Sequence, residues 1–131
     1  MYIELLKKLN KKALKKGDIP VSCLVIRNGK VIAKAYNNKY SKNNPLGHAE
    51  IIAIIKASKK LKTANLNDCE LFVTLKPCLM CEQIIKEMRI KKVNYILENN
   101  KINHNKIIYN KIKNCSSYFE KELVDFFKER R

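Results

Sequence analysis

No stretch of this sequence approaches the ~20 consecutive apolar residues that a membrane-spanning helix requires. Residues 1–16 alternate apolar side chains with lysine and carry no continuous apolar export core, so a cytoplasmic protein is expected. Cysteines number five, an odd count, and without an export signal they argue against a disulfide framework and towards metal ligation by some of them. Acidic residues are scarce, 12 against 28 basic ones, which leaves a net charge of +16 and an affinity for polyanions such as nucleic acid. Arginine is scarcer still. The 24 lysines against 4 arginines, beside 15 asparagines and 16 isoleucines, carry the mark of A/T-rich coding, which accounts for about half of the excess charge.

With 131 residues, 46% of them hydrophobic, the chain can bury one sizeable core, and a single domain over 1–131 is expected. Ile3, Leu6, Leu9 and Ala13 recur at helical spacing with Gly17 behind them, predicting an amphipathic first helix whose Lys8, Lys12 and Lys15 form a solvated face. Segments 21–27 and 30–37 flank Asn28-Gly29, the favoured pair for a two-residue hairpin turn. After a polar loop at 38–47, a helix is predicted from near His48 to Leu61, a strand over 70–75, a helix from Pro77 to about Met88 and a strand over 93–97. Residues 99–114 read as an irregular strand or a loop, and Ser116 or Ser117 caps a last amphipathic helix containing Phe119, Leu123, Phe126 and Phe127. A hairpin followed by strands alternating with helices predicts a three-layer α-β-α fold around a mixed sheet.

His48-Ala49-Glu50 and, thirty positions after the histidine, Pro77-Cys78-Leu79-Met80-Cys81 have the form H-x-E…P-C-x-x-C. Cys78 and Cys81, three apart at a helix start, project from one face and can reach a single ion, while the helix N-terminus favours their thiolates. His48 supplies a third ligand and leaves the fourth tetrahedral position to water, the pattern of a catalytic zinc. Glu50 lies two residues beyond His48, placed to move protons without ligating. The competing reading is a closed zinc site completed by Cys69, Cys115 or His104, although such sites have no reason to set a glutamate beside the histidine. Cys23 and Cys69 read as small core residues, and His104 as solvated.

The motif is the signature of zinc nucleobase deaminases. Together with residues 18–21, Asn28-Gly29, Ala35-Tyr36-Asn37, Asn44-Pro45, 48–61, Asp68-Cys69, 71–81, Arg89-Ile90 and Val93, it resembles the bacterial tRNA-specific adenosine deaminase family. The resemblance covers most of residues 1–97, and Phe126-Phe127 with Arg130-Arg131 echoes the family's C-terminal helix. It implies a cytidine-deaminase-like fold with about five strands, one Zn2+ per chain, a homodimer, and hydrolytic conversion of the wobble adenosine of an arginine tRNA anticodon to inosine. By position His48, Cys78 and Cys81 match the zinc ligands and Glu50 the proton shuttle. Asn37 and Ala49 match residues at the flipped-out base. Lys128, Arg130 and Arg131 are candidates for phosphate contact, and Phe126 or Phe127 for the mouth of the pocket, with core packing as the simpler use of both phenylalanines. The chain departs from the family at Lys76, where glutamate is usual, at Glu82-Gln83-Ile84, where small residues are usual, and after Leu97, where a glycine-rich basic segment is missing.

Two rivals remain from the sequence. A deaminase of a free base or nucleotide (guanine, cytosine or deoxycytidylate) shares the motif, and a zinc-stabilised RNA-binding module without catalysis shares its ligands.

Overall fold

A computed structural model describes residues 1–99 and 107–129. The elements follow the order α1 (Tyr2–Lys15), β1 (Ser22–Arg27), β2 (Lys30–Tyr36), α2 (Ala49–Leu61), β3 (Cys69–Leu75), α3 (Leu79–Glu87), β4 (Lys92–Leu97), β5 (Ile108–Lys111) and α4 (Ser116–Glu129). Asn28 and Gly29 both take positive φ, 52° and 76°, the backbone a type I′ turn needs, so the hairpin forms where the Asn-Gly pair places it.

One sheet has the strand order β2-β1-β3-β4-β5. β1 is antiparallel to both β2 and β3, whereas β3, β4 and β5 run parallel. α2 therefore carries the chain from β2 across β1 to β3, and α3 makes the crossover from β3 to β4. The segment left open between strand and loop contributes β5, which pairs Val93 with Tyr109 and Tyr95 with Lys111 at the edge of the sheet.

Alternation along the central strands sorts the core into two halves. Cys23, Val25, Leu71, Val73, Val93 and Tyr95 face one way and pack with Ala49, Ala53, Ile54 and Ala57 of α2 and Ile85 of α3. Leu24, Ile26, Phe72 and Ile96 face the other way, against Leu6 and Leu9 of α1 and Phe119 of α4. The three-layer expectation is met, with the small residues of α2 letting that helix sit close to the sheet. Cys23 and Cys69 are buried core thiols, as expected. Lys8, Lys12 and Lys15 are exposed.

Polar side chains stitch the α1/α4 layer. Asn10, fully buried, donates from Nδ2 to the Pro20 carbonyl at 2.9 Å and to Glu122 Oε1 at 2.9 Å, joining α1 to the turn before β1 and to α4. No helix among the described residues is long and apolar enough to cross a membrane.

Candidate metal and catalytic site

His48 and Cys78 occupy equivalent places in the fold. Each is the N-cap residue of its helix, with extended backbone (φ −79°, ψ 139° and φ −73°, ψ 173°), so each side chain stands at the positive end of a helix dipole. Cys81 follows in the first turn of α3, and its burial turns it inward beside Cys78. Because α2 and α3 lie on the same face of the sheet, their N-termini converge.

His48 Nδ1 lies 3.4 Å from Cys81 Sγ and 3.8 Å from Cys78 Sγ. The three donor atoms fall within 4.8 Å of one another and form the one such cluster among the described residues. Tetrahedral zinc with bonds of ~2.3 Å to sulfur and ~2.0 Å to nitrogen would hold such donors ~3.5 Å apart, so the donor set and spacing fit zinc. Cys69 and Cys115 are outside the cluster, which removes both as a fourth ligand; His104 lies outside the described residues.

The electrostatics agree with ligation. Hydrogen bonds from Cys81 and then from His48 hold the Cys78 thiol far below its usual range, while the shared proton and burial push Cys81 upwards. The hydrogen bond with Cys78 raises His48 in turn. One thiolate thus forms readily, and a metal would displace the protons that remain. Glu50, in the first turn of α2 and 4% exposed, is pushed up to about 7 by burial, against hydrogen bonds from its own backbone and from Cys81. A carboxyl poised near neutrality can both take up and give back a proton.

The loop 38–47 links Asn37 to His48 and is closely pinned. Asn37 accepts from the Lys39 amide at 3.0 Å, and its own amide donates to the Val21 carbonyl. Asp18, fully buried, accepts from the amides of Tyr40 at 2.8 Å and Ser41 at 3.0 Å through Oδ1. Gly47 has no room for a side chain: a Cβ there would collide with Asn38 Oδ1 and lie 2.7 Å from the Lys39 nitrogen. In the sequence Asp18 stands only within the pattern of resemblance, and Gly47 only at the end of the polar loop. Asp18 holds this loop through contacts across 22 and 23 residues, which no local pattern signals, and Gly47 through the close approach of Asn38 and Lys39.

The remaining candidates separate. The Ala49 methyl is buried in the core, leaving its backbone amide, in the turn where a helix has donors without intrahelical partners. Phe126 is 4% exposed, and its reading as an RNA contact is corrected: at seven residues from Phe119 it turns to the same inward face of α4. Phe127, one residue on, is 49% exposed and Lys128 is exposed. Arg130 and Arg131 lie outside the described residues.

The family model described as the cytidine and deoxycytidylate deaminase zinc-binding region matches residues 1–97. The tRNA-specific adenosine deaminase of Aquifex aeolicus is 42% identical over 83 residues, covering 63% of this chain and 55% of that protein. The chain thus matches just over half the length of that relative. A solved structure from work on A-to-I editing by tRNA:A34 deaminases at the wobble position superposes with a TM-score of 0.76 at 25% identity, over 84% of this chain and 95% of the other. A guanine deaminase from Bacillus subtilis superposes with a TM-score of 0.66 at 26% identity, over 95% and 88%.

Proposed function

The chain belongs to the cytidine and deoxycytidylate deaminase zinc-binding family, and from that membership we propose that it hydrolyses adenosine to inosine at the wobble position of a tRNA anticodon, arginine tRNA being the expected carrier. The observation that carries the chemistry is the His48, Cys78 and Cys81 cluster with a buried glutamate two residues from the histidine. What supports adenosine in RNA is the 42% identity to a tRNA-specific adenosine deaminase, together with the net charge of +16. We read residues 1–131 as one deaminase domain that works in the cytoplasm as a homodimer, with one zinc ion per chain.

His48, Cys78 and Cys81 would hold the zinc, which when bound supplies a Lewis acid that makes water nucleophilic near neutral pH. Glu50 takes one proton from water and delivers it to a ring nitrogen of the base, then takes the second proton from the hydroxyl added to the ring carbon and passes it to the departing amine, so that adenosine and water become inosine and ammonia. Its buried setting keeps the carboxyl from being levelled by bulk solvent. Asn37 and the Ala49 amide hold the edge of the flipped-out base, and the pinned loop 38–47 fixes both relative to His48. Phe127 offers a surface on which a splayed base can pack, and Lys128 a phosphate contact, with Arg130 and Arg131 completing the basic end of the chain.

A second reading, deamination of free guanine, draws support from the likeness to the Bacillus subtilis guanine deaminase over 95% of this chain. Ammonia release from zinc-loaded protein separates the two. Turnover of an anticodon stem-loop bearing adenosine at the wobble position, without turnover of free guanine, cytosine or deoxycytidylate, supports the RNA reading. The opposite pattern selects the free-base enzyme, and zinc and RNA binding without any turnover selects a non-catalytic module.

A further inference from the structure

Beyond the zinc ligands themselves, the turn that carries Cys78 and Cys81 is gripped on both sides by one residue of β5. Lys76, two residues before Cys78, places its ammonium 4.6 Å from the centre of the Tyr109 ring and 5.2 Å from that of Tyr95. The two rings meet edge to face at 6.0 Å, and Lys76 Nζ also lies 3.9 Å from Glu98 Oε1. Glu82, the residue after Cys81, is 1% exposed and accepts a hydrogen bond from the Tyr109 hydroxyl at 2.7 Å. The Glu82 amide donates to the Cys78 carbonyl at 2.9 Å, so the residue Tyr109 holds is itself bonded to the backbone of a cysteine. The Lys76 amide donates to the Leu97 carbonyl, anchoring the other flank to β4.

We propose that Tyr109 is a positioning residue for the metal site, clasping the cysteine-bearing turn through Lys76 on one side and Glu82 on the other. The physical case rests on where the turn is free to move. Cys78 is an N-cap residue with non-helical backbone, so the helix alone leaves its orientation loose. A buried carboxylate is costly unless its acceptors are met, and a cation over two ring faces adds attraction at the other end. Removing a partner bonded directly to a ligand typically reduces affinity for the ion about 10- to 100-fold, and a contact one residue further out belongs at the low end of that range. β5 thus becomes part of the apparatus that presents the thiolates, although none of its residues reaches the metal-binding atoms. The inference rests on the cluster being a zinc site and is independent of the substrate.

The test is zinc affinity, measured by chelator competition on the purified 131-residue chain, with cobalt(II) absorption as a report on the thiolate geometry. Tyr109→Phe keeps the ring and removes the hydroxyl, and should weaken zinc binding about tenfold and shift the cobalt bands. Tyr2→Phe, which removes the hydroxyl that donates to the Gly29 carbonyl on the other side of the sheet, should leave both unchanged. In a Glu82→Ala background, Tyr109→Phe should have no further effect. A Tyr109→Phe protein with zinc affinity within twofold of the parent and an unaltered cobalt spectrum would overturn the proposal, as would equal losses in both backgrounds or in Tyr2→Phe. Failure of the parent chain itself to bind zinc would instead refute the metal site.

Discussion

In the proposed chemistry Glu50 and the two cysteines have separable jobs, and single substitutions can take them apart. Glu50→Gln preserves the shape of a buried side chain but cannot cycle a proton. Turnover should fall by at least ~100-fold while zinc content, measured by atomic absorption, stays at the parent level. Retained turnover would remove Glu50 from the chemistry. Cys81→Ser should instead lose zinc, and turnover with it, because hydroxyl is a poor replacement for thiolate. The cluster and the buried carboxyl beside it were legible in the sequence because H-x-E and P-C-x-x-C encode them locally, each spacing tied to a single helix start. Asp18 was not legible as a loop anchor, nor Tyr109 as a clasp. Their partners are 22 and 27 residues away, and a lone aspartate or tyrosine carries no sign of what it will meet.

At the scale of elements, α4 is fastened to the sheet through Phe119, which sits with Leu6, Leu24, Ile26, Phe72 and Ile96. Phe119→Ala should lower unfolding free energy by about 3–5 kcal/mol in urea titrations, and a loss under 1 kcal/mol would contradict its place in the core. Glu122 on the same helix is raised above its usual 4.5, first by burial, against hydrogen bonds from Asn10 and Tyr118. A carboxyl that binds its proton more tightly when folded favours the folded state below its unfolded value. That contribution is lost as pH rises from about 4.5 through the raised folded value. Glu122→Gln should therefore flatten the fall in melting temperature across that window while keeping the acceptor for Asn10. The predicted elements matched the structure closely where apolar periodicity was strong. β5 was left undecided because its four residues, mostly exposed on an edge strand, bury too little to impose a pattern. The C-terminal phenylalanines were ambiguous for a related reason: adjacent positions on a helix point about 100° apart, and composition alone does not say which faces inward.

The whole molecule combines a partly buried His48, Cys78 and Cys81 cluster with a net charge of +16. If RNA is held through phosphates, affinity for an anticodon stem-loop should drop roughly tenfold or more between ~50 and ~200 mM salt, whereas a free-base substrate would show little such dependence in KM. Zinc should also link to stability: stripping it with a chelator should lower the melting temperature, and stoichiometric zinc should restore it. The sheet and the two helices that start at the cluster bring His48, Cys78 and Cys81 to a common point with Glu50 beside them, and the loop 38–47 ties Asn37 to His48 along the chain. The most direct test is to incubate the zinc-loaded protein with an anticodon stem-loop carrying adenosine at the wobble position, digest the RNA and quantify nucleosides by mass spectrometry. Conversion of the wobble adenosine alone to inosine is expected, abolished in Glu50→Gln; an unchanged stem-loop beside rapid turnover of free guanine would rule out the RNA activity.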